Sequence, residues 1–328
     1  MIETAFTKLV GAQVPIQVAS MPSVSTPALV TAVARAGAVA MVGAPLMSPK
    51  SLERLLERLP RDTPGKIGVN FLGPFLQDPE MIAIAGRGAP IVEFFYAEPN
   101  ADWVERARRG GALVSWQVGS AEEALAAERA GCDFLVAQGT EAGGHVRGTT
   151  SLLPLLSRVL DTVRVPVLAA GGLATARDLA GVLAAGAAGA RMGTRFLASA
   201  ESGAHPEYLR LVLAATAADT CLTSAFYKMW DAPHRVLRSA IDAAEKLPDG
   251  VIAQFPNGED GVIPVERFSV LPPTTETTGR VEAMALYAGE SVANVHEVRP
   301  AAELVAEIAG GAERLLRECD PRNSRAPC

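Results

Sequence analysis

The chain is poor in cysteine and histidine, and each shortage excludes something. Its four cysteines, Cys132, Cys221, Cys319 and Cys328, are scattered with no CxxC pair. That argues against a zinc site and a disulfide framework and fits a reducing, cytoplasmic setting. The four histidines, His145, His205, His234 and His296, lie far apart in sequence, so no metal cluster is suggested. No apolar run reaches the roughly 18 residues of a membrane span. The opening Met1-Ile-Glu-Thr carries an early acid and no basic stretch, so a secretion signal is not expected. Basic excess is missing as well: 30 Lys and Arg stand against 36 Asp and Glu, a formal charge of −6. That balance argues against nucleic acid or an anionic membrane as the main partner. What remains is an ordinary globular composition, long enough at 328 residues for one large domain or a domain with an insertion.

Against that background one pattern repeats. Short apolar runs rich in β-formers begin near Ile16, Val39, Ile67, Ile91, Leu113, Phe134, Val167 and Ala190, each followed by polar punctuation and an alanine-rich helical segment. Thr26-Pro27 and Ser48-Pro49 put a capping hydroxyl before a proline at the first helical position. Ser120-Ala-Glu-Glu123 reads as a capping box and Thr175-Ala-Arg-Asp178 as a weaker relative of one. The helix from Ala121 to Ala130 stops at Gly131. The runs are apolar throughout rather than alternating, which indicates strands buried on both faces and hence parallel. Eight strand–helix units in about 200 residues indicate an α/β fold, a (β/α)8 TIM barrel. A doubly wound open sheet is the alternative, but no Gly-x-Gly-x-x-Gly follows the first strand.

After Thr194 the rhythm changes. Residues 206–216 still read as a helix. Residues 217–277 hold Phe226, Tyr227, Met229 and Trp230, then an amphipathic segment and a proline-containing stretch. They are expected to form a mostly helical insertion closing over the barrel mouth. Residues 278–316 read as helical again, clearest at 283–288 and 301–317, and return to the barrel wall. The barrel is thus expected to comprise 1–216 and 278–328, with the tail 320–328 disordered.

Three glycine-bearing turns follow successive strands. Gln138-Gly-Thr-Glu-Ala-Gly-Gly-His145 carries three glycines and one imidazole; Ala169-Ala-Gly-Gly172 and Met192-Gly-Thr194 follow. Glycine lets backbone amides approach a ligand closely. In barrels the site lies at the C-terminal ends of the strands, with phosphate commonly held after strands seven and eight. Those loops here are Gly171-Gly172 and Gly193-Thr194, whose amides, hydroxyl and following helix start suit a phosphate dianion.

These three turns, with Val165-Pro-Val-Leu preceding the second and Arg195-Phe196 ending the third, resemble the nitronate monooxygenase family, formerly called 2-nitropropane dioxygenases. Its superfamily also includes flavin-dependent enoyl-acyl-carrier-protein reductases. The likeness covers most of 10–216 and continues in Tyr287-Ala-Gly-Glu-Ser-Val-Ala-Asn-Val-His-Glu-Val298. It implies bound FMN. Met21, Asn70, Gln138 and Gly143 match positions beside the flavin ring or ribityl chain, and Gly171, Gly172, Gly193 and Thr194 match the phosphate cradle. His145 matches a histidine that serves over the flavin as a catalytic base. Ser291 lies in a segment that approaches the substrate. The implied activity is oxidation of alkyl nitronates or nitroalkanes with O2, by a monomer or homodimer. Neutral imidazole suits proton removal from a nitroalkane near neutral pH. The chain departs from the family pattern at Ser20, Pro22 and Ser23 in the first loop and along Ala36–Gly43 in the second strand.

Two alternatives stay open: an NAD(P)H-dependent FMN reductase acting on enoyl thioesters, and a flavin-binding protein without catalysis. Several residues also carry two readings. Glu141 orients its loop or faces solvent. Gln117 lines the pocket, while Trp116 lines it or belongs to the core. Tyr227 and Trp230 cover a substrate or pack, and Arg147 holds an anion or is a surface charge.

Overall fold

Uninterrupted apolar strands have two faces to bury, and here they do so by closing into a ring. The structure, a computed structural model, describes residues 2–256 and 261–319; the expected disordered tail lies outside the described residues. Strands β1 (Ile16–Val18), β2 (Val39–Gly43), β3 (Lys66–Leu72), β4 (Ile91–Phe95), β5 (Leu113–Val118) and β6 (Phe134–Gln138) are followed in the barrel by β8 (Val167–Ala170) and β9 (Gly189–Met192). The two-residue β7 (Gly144–His145) stands outside it. All pairings within the barrel are parallel, and β9 closes on β1 with Gln17 beside Arg191. The barrel reading is borne out, with strand starts within one residue of those expected.

Helices α2 (Pro27–Arg35), α3 (Pro49–Arg58), α4 (Glu80–Gly88), α5 (Ala101–Arg109), α6 (Ala121–Arg129), α7 (Leu152–Thr162) and α8 (Ala176–Ala184) coat the outside. Their starts form as the sequence indicates: Thr26 accepts from the Leu29 amide at 3.0 Å and Ser48 from Ser51 at 3.2 Å, each with proline at the first turn. The two boxes exchange rank. Thr175 and Asp178 bond reciprocally, at 2.8 and 3.2 Å. Glu123 instead reaches past Ser120 to the Gly119 amide at 2.7 Å. An additional helix, α1 (Ala5–Val10), plugs the barrel's lower end: Phe6 meets Phe134 edge-on at 5.2 Å, within a cluster that includes Val39, Met41 and Ile91.

The eighth helix position is filled from far along the chain. α12 (Ala301–Glu318) packs between α8 and α2, burying Leu304, Val305 and Ile308 in the outer core. Burial of each such side chain contributes about 1.5–3 kcal/mol. Between β9 and α12 the chain makes one excursion over the barrel mouth. It holds α9 (Thr194–Leu197), α10 (Pro206–Ala214), β10 (Thr220–Thr223), β11 (His234–Leu237), α11 (Arg238–Glu245), β12 (Val251–Pro256), β13 (Val262–Glu266) and β14 (Thr278–Gly279).

Residues 217–277 correct the expectation of a mostly helical insertion: their described residues contain one α-helix and four strands. Exposure along β12 alternates from Ala253 and Phe255, both buried, to Gln254, exposed. That is the period-two pattern of a half-buried strand. Residues 283–288 are also not an α-helix: Ala283 ends a 3-10 turn and 284–288 run without helix. Ala283, Met284, Ala285, Leu286 and Ala288 are all buried, and the Leu286 carbonyl is taken by the Leu237 amide at 2.9 Å. Tertiary burial here overrides alanine's helix propensity. Among the described residues no helix is long and apolar enough to cross a membrane.

Candidate active site

The strands end in polar side chains, and the loops beyond them form a roof. Asn70 (β3), Gln117 (β5), Gln138 (β6) and Arg191 (β9) border one cavity at the C-terminal end of the barrel. Met21, from the loop after β1, joins them; its amide bonds Ser25 Oγ at 2.9 Å. The Gln138 side chain donates to the His145 carbonyl at 2.9 Å, pinning the glycine loop to the strand. Its Oε1 is sealed from solvent with no protein partner among the described residues, as are His145 Nε2 and Ser20 Oγ, all on residues bordering the cavity.

The glycine turns follow. Gly171 and Gly172 have φ of +112° and +71°, consecutive left-handed conformations. A Cβ on Gly172 would lie 3.3 Å from Glu141 Cβ, so both conformation and space favour glycine there. Gly193 differs: a Cβ on it would make only ordinary contacts with Ala19 and Met21. Nothing in the protein alone requires glycine at that position. The helix after it, α9, is a single turn, so its dipole adds less than the sequence suggested. Thr194 Oγ1 accepts the Gly289 amide at 3.0 Å, leaving its own proton to donate. Gly143 serves a close crossing: a Cβ would sit 2.4 Å from the Gly289 nitrogen. The adjoining Glu290 amide bonds the Glu141 carbonyl at 3.0 Å, and buried Ser291 borders the cavity. All ten residues singled out from sequence thus border one cavity.

The roof comes from the excursion. Trp230 stacks on His145 with ring centroids 3.9 Å apart and 25° between planes. Phe75 and Tyr96 meet Trp230 edge-on at 5.5 and 4.6 Å. The Tyr287 hydroxyl donates to the Val270 carbonyl at 2.7 Å, and Tyr208 donates to the Tyr287 carbonyl. The loops carrying Trp230 and Val270 are joined by backbone bonds through Lys228, at 3.0 and 3.2 Å. Three non-glycine residues at the mouth, Ser23, Leu46 and Met229, have positive φ of 66°, 66° and 77°. Left-handed backbone of this kind concentrates at ligand sites.

Burial drives the His145 imidazole down to about 3, the neighbouring His234 adding to the effect. No carboxylate is among the causes. His234 is itself lowered by burial. Its Nε2 faces the Phe226 amide at 3.3 Å and its Nδ1 the Ala232 carbonyl at 2.8 Å. That pair of partners fixes the neutral Nδ1–H tautomer.

The double readings resolve on position. Glu141 accepts the Leu152 amide at 3.0 Å and orients its loop. Trp116 is core, Gln117 and Trp230 border the cavity, and Tyr227 is exposed against Phe268. Arg147 is held by Glu123 and Glu98 away from the cavity. Sequence reading passed over Glu93 and Arg191, a buried ion pair in the lumen. The signal was there: a single charge inside Ile91-Val-Glu-Phe-Phe95 and inside Gly189-Ala-Arg-Met192.

The family model described as nitronate monooxygenase matches residues 77–311. The chain belongs to the nitronate monooxygenase family. Membership classes it as a flavin-dependent oxidoreductase. A nitronate monooxygenase of Paraburkholderia phytofirmans is 30% identical over 364 aligned positions, covering 96% of this chain and 95% of that one. A 5-hydroxy-7a-methyl-1-oxo-octahydro-1H-indene-4-carboxyl-CoA dehydrogenase of Rhodococcus jostii is 34% identical over 238, covering 73% of this chain and 66% of that one. Among solved structures, FabK of Thermotoga maritima superposes with a TM-score of 0.81 at 28% identity, covering 97% of this chain and 98% of that one. The whole barrel and its excursion are therefore shared architecture within the nitronate monooxygenase family and its relatives.

Proposed function

We propose that the cavity holds FMN and that the chain oxidises alkyl nitronates, and nitroalkanes after loss of a proton, with O2. The observation that carries this reading is the pair of sealed, unpartnered polar atoms, Gln138 Oε1 and His145 Nε2, beside the glycine turns. A buried polar group without a partner costs about 1–3 kcal/mol, so a polar ligand is the expected partner. The donor set fits a flavin mononucleotide. The amides of Gly171, Gly172 and Gly193 and the free Thr194 proton suit one phosphate; Asn70, Gln138 and the Met21 loop suit ring and ribityl polar groups, with Gly143 holding the wall between them. Bound FMN supplies the electron acceptor and the reaction with O2.

The protein's own contribution is position, exclusion of water and one proton. Residues 217–277 serve as the cover, Trp230 and the Val270 loop shielding the reaction from solvent. His145 is neutral at every pH well above 3 and so is always ready to accept a proton. Its depressed value makes protonation about 5 kcal/mol harder than in water. A nitronate formed roughly 4 Å away offsets about 4 kcal/mol of that at an effective dielectric near 20. His145 is thus a base for the nitroalkane only while the anion it generates stays beside it. A substrate arriving as the nitronate needs no such step and is the better one. Ser291, buried at the border of the cavity, is assigned a hydrogen bond to the substrate.

A second reading draws on the mouth. Pro45, Leu46, Leu72, Phe75, Leu271 and Pro272 make an apolar rim that a small nitronate does not need. That rim favours a bulky thioester, the substrate class named for the Rhodococcus relative, or reduction of an enoyl thioester by NAD(P)H. Anaerobic mixing separates the two. Bleaching of the flavin band by propionate 3-nitronate but not NADPH supports the nitronate reading; bleaching by NADPH alone replaces it.

A further inference from the structure

The lumen of this barrel carries charge where such barrels are usually filled by branched apolar side chains. Glu93 on β4 and Arg191 on β9 stand on opposite walls, four strands apart, and their side chains meet across the lumen. Glu93 is fully buried and also accepts Asn70 Nδ2 at 2.9 Å and Ser115 Oγ at 3.1 Å. Three donors from three strands hold that carboxylate in place. Arg191 commits one nitrogen to it. Its other nitrogens have no protein partner among the described residues, yet they are not among the sealed atoms. Arg191 borders the cavity, and among the described residues that do so it is the only one bearing a formal charge. Desolvating an ion pair is expensive, and an apolar pair of similar volume is often at least as stable. Structure alone therefore gives no reason to keep one here.

We propose that Arg191, held by Glu93, faces the bound flavin from the barrel floor and stabilises the negative charge it acquires on reduction. The proposal rests on the reading of the cavity as an FMN site. Oxidation of the nitronate with water to a carbonyl compound and nitrite releases two electrons and two protons; both electrons and one proton pass to the bound flavin, and the second proton leaves to solvent. One negative charge is thereby added to the ring. Arg191 comes from barrel strand β9 and His145 from β7 outside the barrel, so charge stabilisation and proton transfer are assigned to different elements of the fold. A guanidinium in a water-excluded site acts without reorganising when the charge appears. Glu93 is a positioning residue: it aims the guanidinium and moderates its field.

The test is the flavin's two-electron midpoint potential, measured by equilibrium titration against a reference dye in the holoprotein. Glu93→Gln leaves the cation less neutralised, so reduction becomes at least tenfold more favourable, a rise of about 30 mV or more. Glu93→Gln with Arg191→Gln removes both charges yet keeps groups that can bond each other, and the potential falls by a similar amount. A merely structural pair would not move the potential in opposite directions. Arg191→Lys stays near wild type. The wild type gives a reading that needs no variant to fold: from pH 6 to 8 its potential falls by about 30 mV per unit, one proton for two electrons. A slope near 59 mV per unit, or potentials that do not separate, overturns the role of Arg191 while leaving FMN in place. Wild-type protein that takes up no FMN overturns the proposal together with the cavity reading.

Discussion

Substituting His145 by phenylalanine isolates the energetic signature of a buried imidazole. Phenylalanine keeps a flat ring against Trp230, now 3.9 Å away, and deletes an Nε2 that has no protein partner among the described residues. The folded-state value of His145, about 3, lies below the unfolded value near 6.5. As pH falls, the unfolded chain therefore takes the proton first, and stability present at neutral pH is lost between about 6.5 and 3. The slope is about 1.4 kcal/mol per pH unit. Between pH 7 and pH 5 His145 alone removes about 2 kcal/mol. Urea unfolding of wild type and His145→Phe at both pH values gives that difference directly. Both proteins are prepared free of small-molecule ligand, since binding shifts apparent stability. His234 titrates in both and largely cancels. The variant is expected to lose about 2 kcal/mol less than wild type over this interval. Equal losses would show that the imidazole is not held neutral by burial, and the account of its basicity would fall with it.

Other perturbations reach the remaining parts of the site. His145→Ala is expected to keep FMN but lose turnover on neutral nitroalkanes, with nitronate use far less affected; equal retention on both substrates removes the base. Gly193→Val is expected to abolish FMN retention by filling the space where the protein makes only ordinary contacts; a variant purified with full flavin refutes the cradle. Gly172→Ala, at φ +71°, should cost about 1–2 kcal/mol, read from the unfolding midpoint, because left-handed backbone disfavours a Cβ. Tyr287→Phe deprives the Val270 carbonyl of its donor, a loss of about 0.5–1.5 kcal/mol, and should raise KM more than it lowers kcat as the roof loosens. Unchanged KM would mean that the roof is held by packing alone.

Much of this was visible in the chain because the barrel obeys local rules. A strand buried on both faces must be apolar throughout, and the helix starts at Thr26 and Ser48 are written in capping residues. The three glycine turns were equally legible, since their spacing follows the strands and each turn must bend sharply at a strand end. The excursion was less so. Its strands are short and bounded by contacts to distant segments, as where Leu237 bonds Leu286, so no local period announces them. The Glu93–Arg191 pair was hidden for a related reason. Each charge sits alone in an apolar run, and only closure of the ring brings them together across it. Trp230 could be suspected as a cover, but its stacking on His145 depends on β11 pairing with β7, a contact between segments ninety residues apart in register.

The placement of α12 has a consequence for how the molecule is made. Strand β9 ends at Met192, yet the helix that completes its unit begins at Ala301. During synthesis the whole roof emerges before the wall can be sealed, and until α12 arrives an oily seam lies open between α8 and α2. Nascent chains are vulnerable there to aggregation, as partly folded intermediates are. In exchange, this late helix inspects the work: it can dock only where both ends of the ring already stand, so the barrel is locked shut after its lid has been fitted.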